Sequence, residues 1–168
     1  MKMVSKICDI LTYIILTILI VIAGMLFIPR FVGYETFAVI SGSMEPNMPV
    51  GAIVYAKEAD FNDIKVGDAI TFHANEKTIV THRVIEVDKD NKQFTTKGDA
   101  NNVQDADPVK YGNVIGKVGL TIPLLGYLSM YIKTPLGIAG ICAIIFVLLF
   151  LNFLPSILEK DEEKEKVE

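Results

Sequence analysis

Two charge-free apolar runs, residues 10–28 and 136–154, constrain what this chain can fold into more than any other feature. Each holds about 19 residues, which at roughly 1.5 Å of helical rise apiece approach the ~30 Å hydrocarbon thickness of a bilayer. Each run is therefore expected to cross a membrane once as a helix. Together they explain why a chain of 168 residues is 51% hydrophobic, too apolar for an ordinary soluble domain.

The first run competes with a cleaved secretory signal, since Lys2 and Lys6 precede it and Ala23-Gly24 are small. It exceeds the usual ~7–15 residue signal core, and the small pair lies inside the run rather than after it, which favours an uncleaved anchor. The second run follows Lys133-Thr134-Pro135 and stops before Pro155. Two spans put both termini on one side. Lys2, Lys6, Lys160, Lys164 and Lys166 flank the outer ends, against Arg30 and Lys133 at the inner ends, so the termini are expected in the cytoplasm and the middle outside.

Between the spans the periodicity changes from helical to strand-like. Residues 52–56, 69–73, 79–87 and 93–97 are β-branched or aromatic runs, several of them alternating in polarity. Breakers such as Pro49-Val50-Gly51, Val66-Gly67-Asp68 and Gly98-Asp99 separate them. The expected fold class is mainly β: a compact all-β domain flanked by N- and C-terminal transmembrane helices. The expected divisions are an anchor (1–30), an extracytoplasmic β-rich domain (31–119), an apolar segment in the membrane interface (120–135), a second transmembrane helix (136–155) and a charged cytoplasmic tail (156–168). For residues 120–132, broken by Pro123 and Gly126, a core strand followed by a linker is the competing reading.

Composition narrows the function classes. Cys8 and Cys142 lie in or beside the spans, so the external domain has no disulfide framework, and both are expected as buried apolar thiols. A net charge of −4 without a basic stripe argues against nucleic acid. Two histidines without nearby cysteines do not make a metal-ligand pattern, and neither a cofactor nor a metal is expected.

The chemistry is concentrated after the first span, where Ser41-Gly42-Ser43-Met44-Glu45-Pro46 ends the apolar run Phe37-Ala38-Val39-Ile40. A serine hydroxyl there becomes a nucleophile only if a base removes its proton. The candidates are His73, which leads into a polar turn as a solvated strand end would, and His82, inside the strand 79–87. Alternation puts His82 on the face of Val80 and Val84, where a core histidine is the plain reading and a base the functional one. A carboxylate must orient that imidazole. Asp99, Asp105 and Asp107 are all available in the next loop, all equally explicable as turn formers, and spacing does not choose among them.

Taken together these residues resemble signal peptidase I, in the endoplasmic-reticulum-type branch that also occurs in archaea and spore-forming Gram-positive bacteria. The resemblance rests on the Ser41–Pro46 box, Gly67-Asp68, Thr81-His82-Arg83-Val84-Ile85 and Thr96-Lys97-Gly98-Asp99-Ala100-Asn101, in the family's order. It implies Ser43 as nucleophile and His82 as base where the usual bacterial branch has lysine. It further implies essential aspartates at Asp99 and Asp105, with Asp105 the first choice to orient His82. The Ser43 backbone N–H and the Ser41 hydroxyl would supply the oxyanion donors. Ala38 and Ile40 would form walls of shallow pockets that accept small residues of an Ala-x-Ala type cleavage site. Expected partners are secretory preproteins and the lipid bilayer; accessory subunits are not specified. The competing class is a non-catalytic, membrane-tethered β-domain that binds a partner protein. A self-cleaving serine repressor would need a lysine base and a DNA-reading helix pair, which the chain lacks.

Overall fold

The computed structural model describes residues 2–132 and 134–165. They form two compact units, residues 27–130 and a helical unit drawn from both ends of the chain. Lys133 and residues 166–168, including Lys166, lie outside the described residues.

In the helical unit, α1 (Lys2–Phe31) and α3 (Pro135–Glu165) contain apolar stretches of 29 and 21 residues respectively. Both are long enough to span a bilayer. Ile10, Ile14 and Ile18 of α1 and Ile138, Ile145 and Phe146 of α3 are exposed. A core helix of a soluble protein would bury such side chains, whereas a helix in lipid need not. Cys8 is buried as expected, but Cys142 is exposed on α3. α3 continues to Glu165, so most of the charged segment expected as a tail is helical.

The other unit is built on one antiparallel sheet. Its strands are β1 (Tyr34–Ala38), β2 (Ile53–Lys57), β3 (Ala69–His73), β4 (Ile79–Asp88), β5 (Gln93–Lys97), β6 (Val109–Lys110) and β7 (Val114–Ile122). They are ordered β1-β2-β7-β3-β4-β5-β6. β3 and β5 coincide with the strands expected from sequence, and β2 and β4 differ by one residue. The last strand lies between β2 and β3, joining the hairpin β1–β2 to the meander β3–β6.

β7 was not legible as a strand because Gly116 and Gly119 interrupt its pattern, and glycine is depleted in strands. Gly116 is needed sterically: a Cβ there would come within 2.5 Å of the Lys57 carbonyl oxygen. The register slips between Tyr55 and Ala56 opposite β7, a bulge that locally bends the sheet. β7 runs through residue 119 to Ile122, and the following helix α2 (Leu125–Tyr131) is held by the Gly126 N–H donating to the Gly51 carbonyl at 2.8 Å.

Successive side chains of a strand point to opposite faces. Ala69 joins a buried cluster with Met44, Met48 and Val54, while Ile70 joins another with Phe72, Val84 and Phe94. The sheet is thus packed on both faces. Met44 ties the serine turn into the first cluster, and Phe72 of the second stands against His82.

Candidate active site

Ser43 sits in the 3-10 turn Gly42–Met44 that leaves the end of β1. Met44, only 2% exposed, anchors this turn from below. From the other side, the Ala100 N–H donates to the Ser43 carbonyl oxygen at 2.9 Å. That approach depends on Gly98, since a Cβ there would lie 2.6 Å from the same oxygen. The Ser41 and Ser43 Oγ atoms are 3.5 Å apart.

His82 pairs with Ile70 of β3 and is almost buried, its side chain 11% exposed. Its Nδ1–H donates to Asp105 Oδ2 at 2.7 Å, because an ionised carboxylate can only accept. The Phe72 ring stands edge-on to the imidazole at 6.4 Å between centroids. With Nδ1 engaged by Asp105, Nε2 is the nitrogen left to take a proton. Ser41, Ser43 and His82 line one open cleft of about 530 Å³, together with Ala38 and Ile40. A second cleft of about 280 Å³, bordered by His73, Asp105 and Asp107, shares His82 as its wall.

Asp99 is placed elsewhere. Arg83 Nε and Nη2 donate to its two oxygens at 2.7 and 2.6 Å, and Asn47 Nδ2 donates to Oδ2 at 2.8 Å. The hydrogen bond from Arg83 holds the Asp99 carboxyl below the usual carboxylate range, with Asn47 adding to the effect and burial opposing it. The same bond pushes the Arg83 guanidinium up. Consecutive residues of β4 therefore grip two carboxylates of one loop: His82 holds Asp105 and Arg83 holds Asp99. That loop also supports the serine turn, so one segment fixes both halves of the site.

Spacing left the choice among Asp99, Asp105 and Asp107 open and the resemblance put Asp105 first; the structure brings Asp105 to His82 and neither of the others. It also reveals residues not singled out before. Thr96 donates to Asp105, Asn47 braces Asp99, and Asn101 lines the larger cleft. Thr96 and Asn101 were visible only as members of a matched box, and Asn47 gave no local signal. Among the described residues, no three His, Cys, Asp or Glu side chains converge as a metal site would require.

A hydroxyl and an imidazole–carboxylate couple facing one cleft of a β-domain are what serine-type acyl transfer requires. The family model for signal peptidase, peptidase S26, matches residues 11–118. The chain belongs to this family. It is 37% identical over 125 residues to signal peptidase I W of Bacillus subtilis (strain 168), covering 68% of this chain and 64% of that protein. It is 33% identical over 103 residues to the signal peptidase complex catalytic subunit SEC11C of Homo sapiens, covering 55% of this chain and 54% of the relative. SEC11C of Canis lupus familiaris matches to the same extent. The chain thus spans between half and two thirds of the length of these relatives. The likeness to both kinds of protein agrees with the endoplasmic-reticulum-type branch.

Proposed function

We propose that this protein is a membrane-bound serine endopeptidase that removes signal peptides from secreted precursors, cutting after small residues. The observation that carries the reading is the 2.7 Å bond from His82 Nδ1 to Asp105 in a cleft that Ser43 also lines. His82 takes the Ser43 proton as the hydroxyl attacks the scissile carbonyl, then returns it to the leaving amine. Asp105 keeps the imidazole oriented and stabilises its charged form. The Ser43 N–H and the Ser41 hydroxyl meet the developing oxyanion.

The sheet suggests how a precursor is held. β1 is an edge strand, and residues 79–82 of β4 extend past the last β5 partner, Lys97. An extended peptide can add to these edges through main-chain hydrogen bonds while its small side chains enter the pocket beside Ala38 and Ile40. The apolar helices supply a membrane anchor at each end of the catalytic domain, with both termini cytoplasmic and residues 31–119 outside. Exposed Leu124, Leu128 and Met130 would rest in the interface. Holding the site at the outer leaflet raises its effective concentration near the end of a substrate's own apolar segment.

The test is incubation of detergent-solubilised wild type, Ser43→Ala and His82→Ala with a precursor bearing an Ala-x-Ala site. Cleavage by wild type alone is expected. Full activity in His82→Ala would remove the proposed base. Binding of precursor without cleavage by any form would favour the partner-binding class instead.

A further inference from the structure

We infer that Thr96 is a positioning residue: its hydroxyl fixes the carboxylate of Asp105 so that His82 stays in the tautomer able to accept the serine proton. The inference rests on the serine–histidine reading above and identifies what holds that pair in order.

Thr96 lies on β5 opposite Val84, two residues from Phe94, and is fully buried. A valine would fill such a position equally well, and a hydroxyl taken from water is costly unless it is hydrogen-bonded. Here Thr96 Oγ1 donates to Asp105 Oδ2 at 2.6 Å, the same oxygen that accepts from His82 Nδ1 at 2.7 Å. The main chain repeats the attachment, as the Asp105 N–H donates to the Thr96 carbonyl at 2.9 Å. One residue therefore holds Asp105 by backbone and side chain across the turn that begins at Gly98.

The consequence for proton transfer is specific. An ionised carboxylate already only accepts, so what the Thr96 hydroxyl adds is position: its proton holds Oδ2 where it faces His82 Nδ1. The imidazole must then present Nδ1–H to the carboxylate, which keeps Nε2 free of a proton and ready to act. Because the Asp105 side chain is 23% exposed, the carboxylate has water to turn towards when this donor is lost. Thr96 bonds Asp105 rather than Ser43 or His82, so its effect passes through Asp105.

The experiment compares wild type, Thr96→Val, Thr96→Ser, Asp105→Ala and the Thr96→Val/Asp105→Ala double variant on an Ala-x-Ala precursor. kcat, KM and melting temperature are read separately. Thr96→Val should lower kcat about 10–100-fold, the worth of one hydrogen bond to a charged group, with KM within about twofold. Thr96→Ser should stay within about threefold of wild type. On the Asp105→Ala background Thr96→Val should cost nothing further, since residues acting as a unit are non-additive. Nitrogen NMR of ring-labelled histidine should show Nδ1 protonated in wild type and a mixture of tautomers in Thr96→Val.

A wild-type kcat in Thr96→Val, or an equal loss on both backgrounds, would overturn the inference. If Thr96→Val does not fold, Thr96→Cys keeps the volume with a poor donor and must show the same loss. Cleavage abolished by Ser43→Ala yet intact in Thr96→Val would sink this inference alone. Cleavage that survives Ser43→Ala would bring down the serine–histidine reading and this inference with it.

Discussion

At the scale of single residues, the two serines and the two gripped aspartates differ in what they can contribute. On the proposed mechanism Ser43→Ala removes the attacking atom and should abolish cleavage. Ser41→Ala would remove one proposed oxyanion donor, and the loss of such a donor typically costs ~2.7–4 kcal/mol, so kcat should fall about 10²–10³-fold with residual activity above background. Single-turnover assays on the two variants check this order. Asp99 bonds Arg83 and Asn47 rather than His82. Its folded-state carboxyl titrates below its ordinary value, so its contribution is full above about pH 4 and is lost as pH falls through the lower folded-state value. Asp99→Asn should therefore destabilise the domain at pH 7 by about 1–3 kcal/mol. The gap from wild type should narrow as the medium is acidified below about pH 4, and thermal melts across that range measure it.

At the scale of elements, the loop after β5 has the most demanding role. It carries Asp99 to Arg83, Asp105 to His82 and the Ala100 N–H to the serine turn. Gly98 is where loop and turn come closest, and a Cβ there would also lie 2.7 Å from Asn101 Nδ2. Gly98→Ala should push the turn out of line at a cost of about 1–3 kcal/mol, the range for overpacking. Because misplacing reacting groups by 1 Å can cost ~10²-fold, kcat should suffer more than the melting temperature. Equal kcat for Gly98→Ala and wild type would show that the turn tolerates displacement. β4 contributes through its alternation, one face giving His82 to the cleft and the other giving Arg83 to Asp99.

At the scale of the whole molecule, a β-unit with buried clusters on both sheet faces is joined to helices whose apolar side chains are exposed. Such helices are stable in lipid, where all their backbone groups are bonded internally, and would aggregate in water. The protein should remain with membranes through an alkaline carbonate wash and be released only by detergent. Recovery in the wash supernatant would contradict a spanning arrangement. Protease added to sealed, correctly oriented vesicles should cut only in the β-unit if the termini are cytoplasmic.

The sequence by itself determined the two apolar helices, four of the strands and the serine and histidine candidates. Each of these is a local property: a charge-free run of bilayer length, an alternation of period two, a serine turn that closes an apolar run, or a histidine, of which the chain has two. Only the tertiary structure put Asp105 against His82, as the resemblance had implied, brought Asp99 to Arg83 and the Thr96 hydroxyl to the Asp105 carboxylate, and set β7 in the middle of the sheet. The loop aspartates look alike as turn formers, and glycine hides a strand whose backbone must approach another closely. Those roles are set by which strand each segment returns to, and that is fixed only when the chain closes on itself.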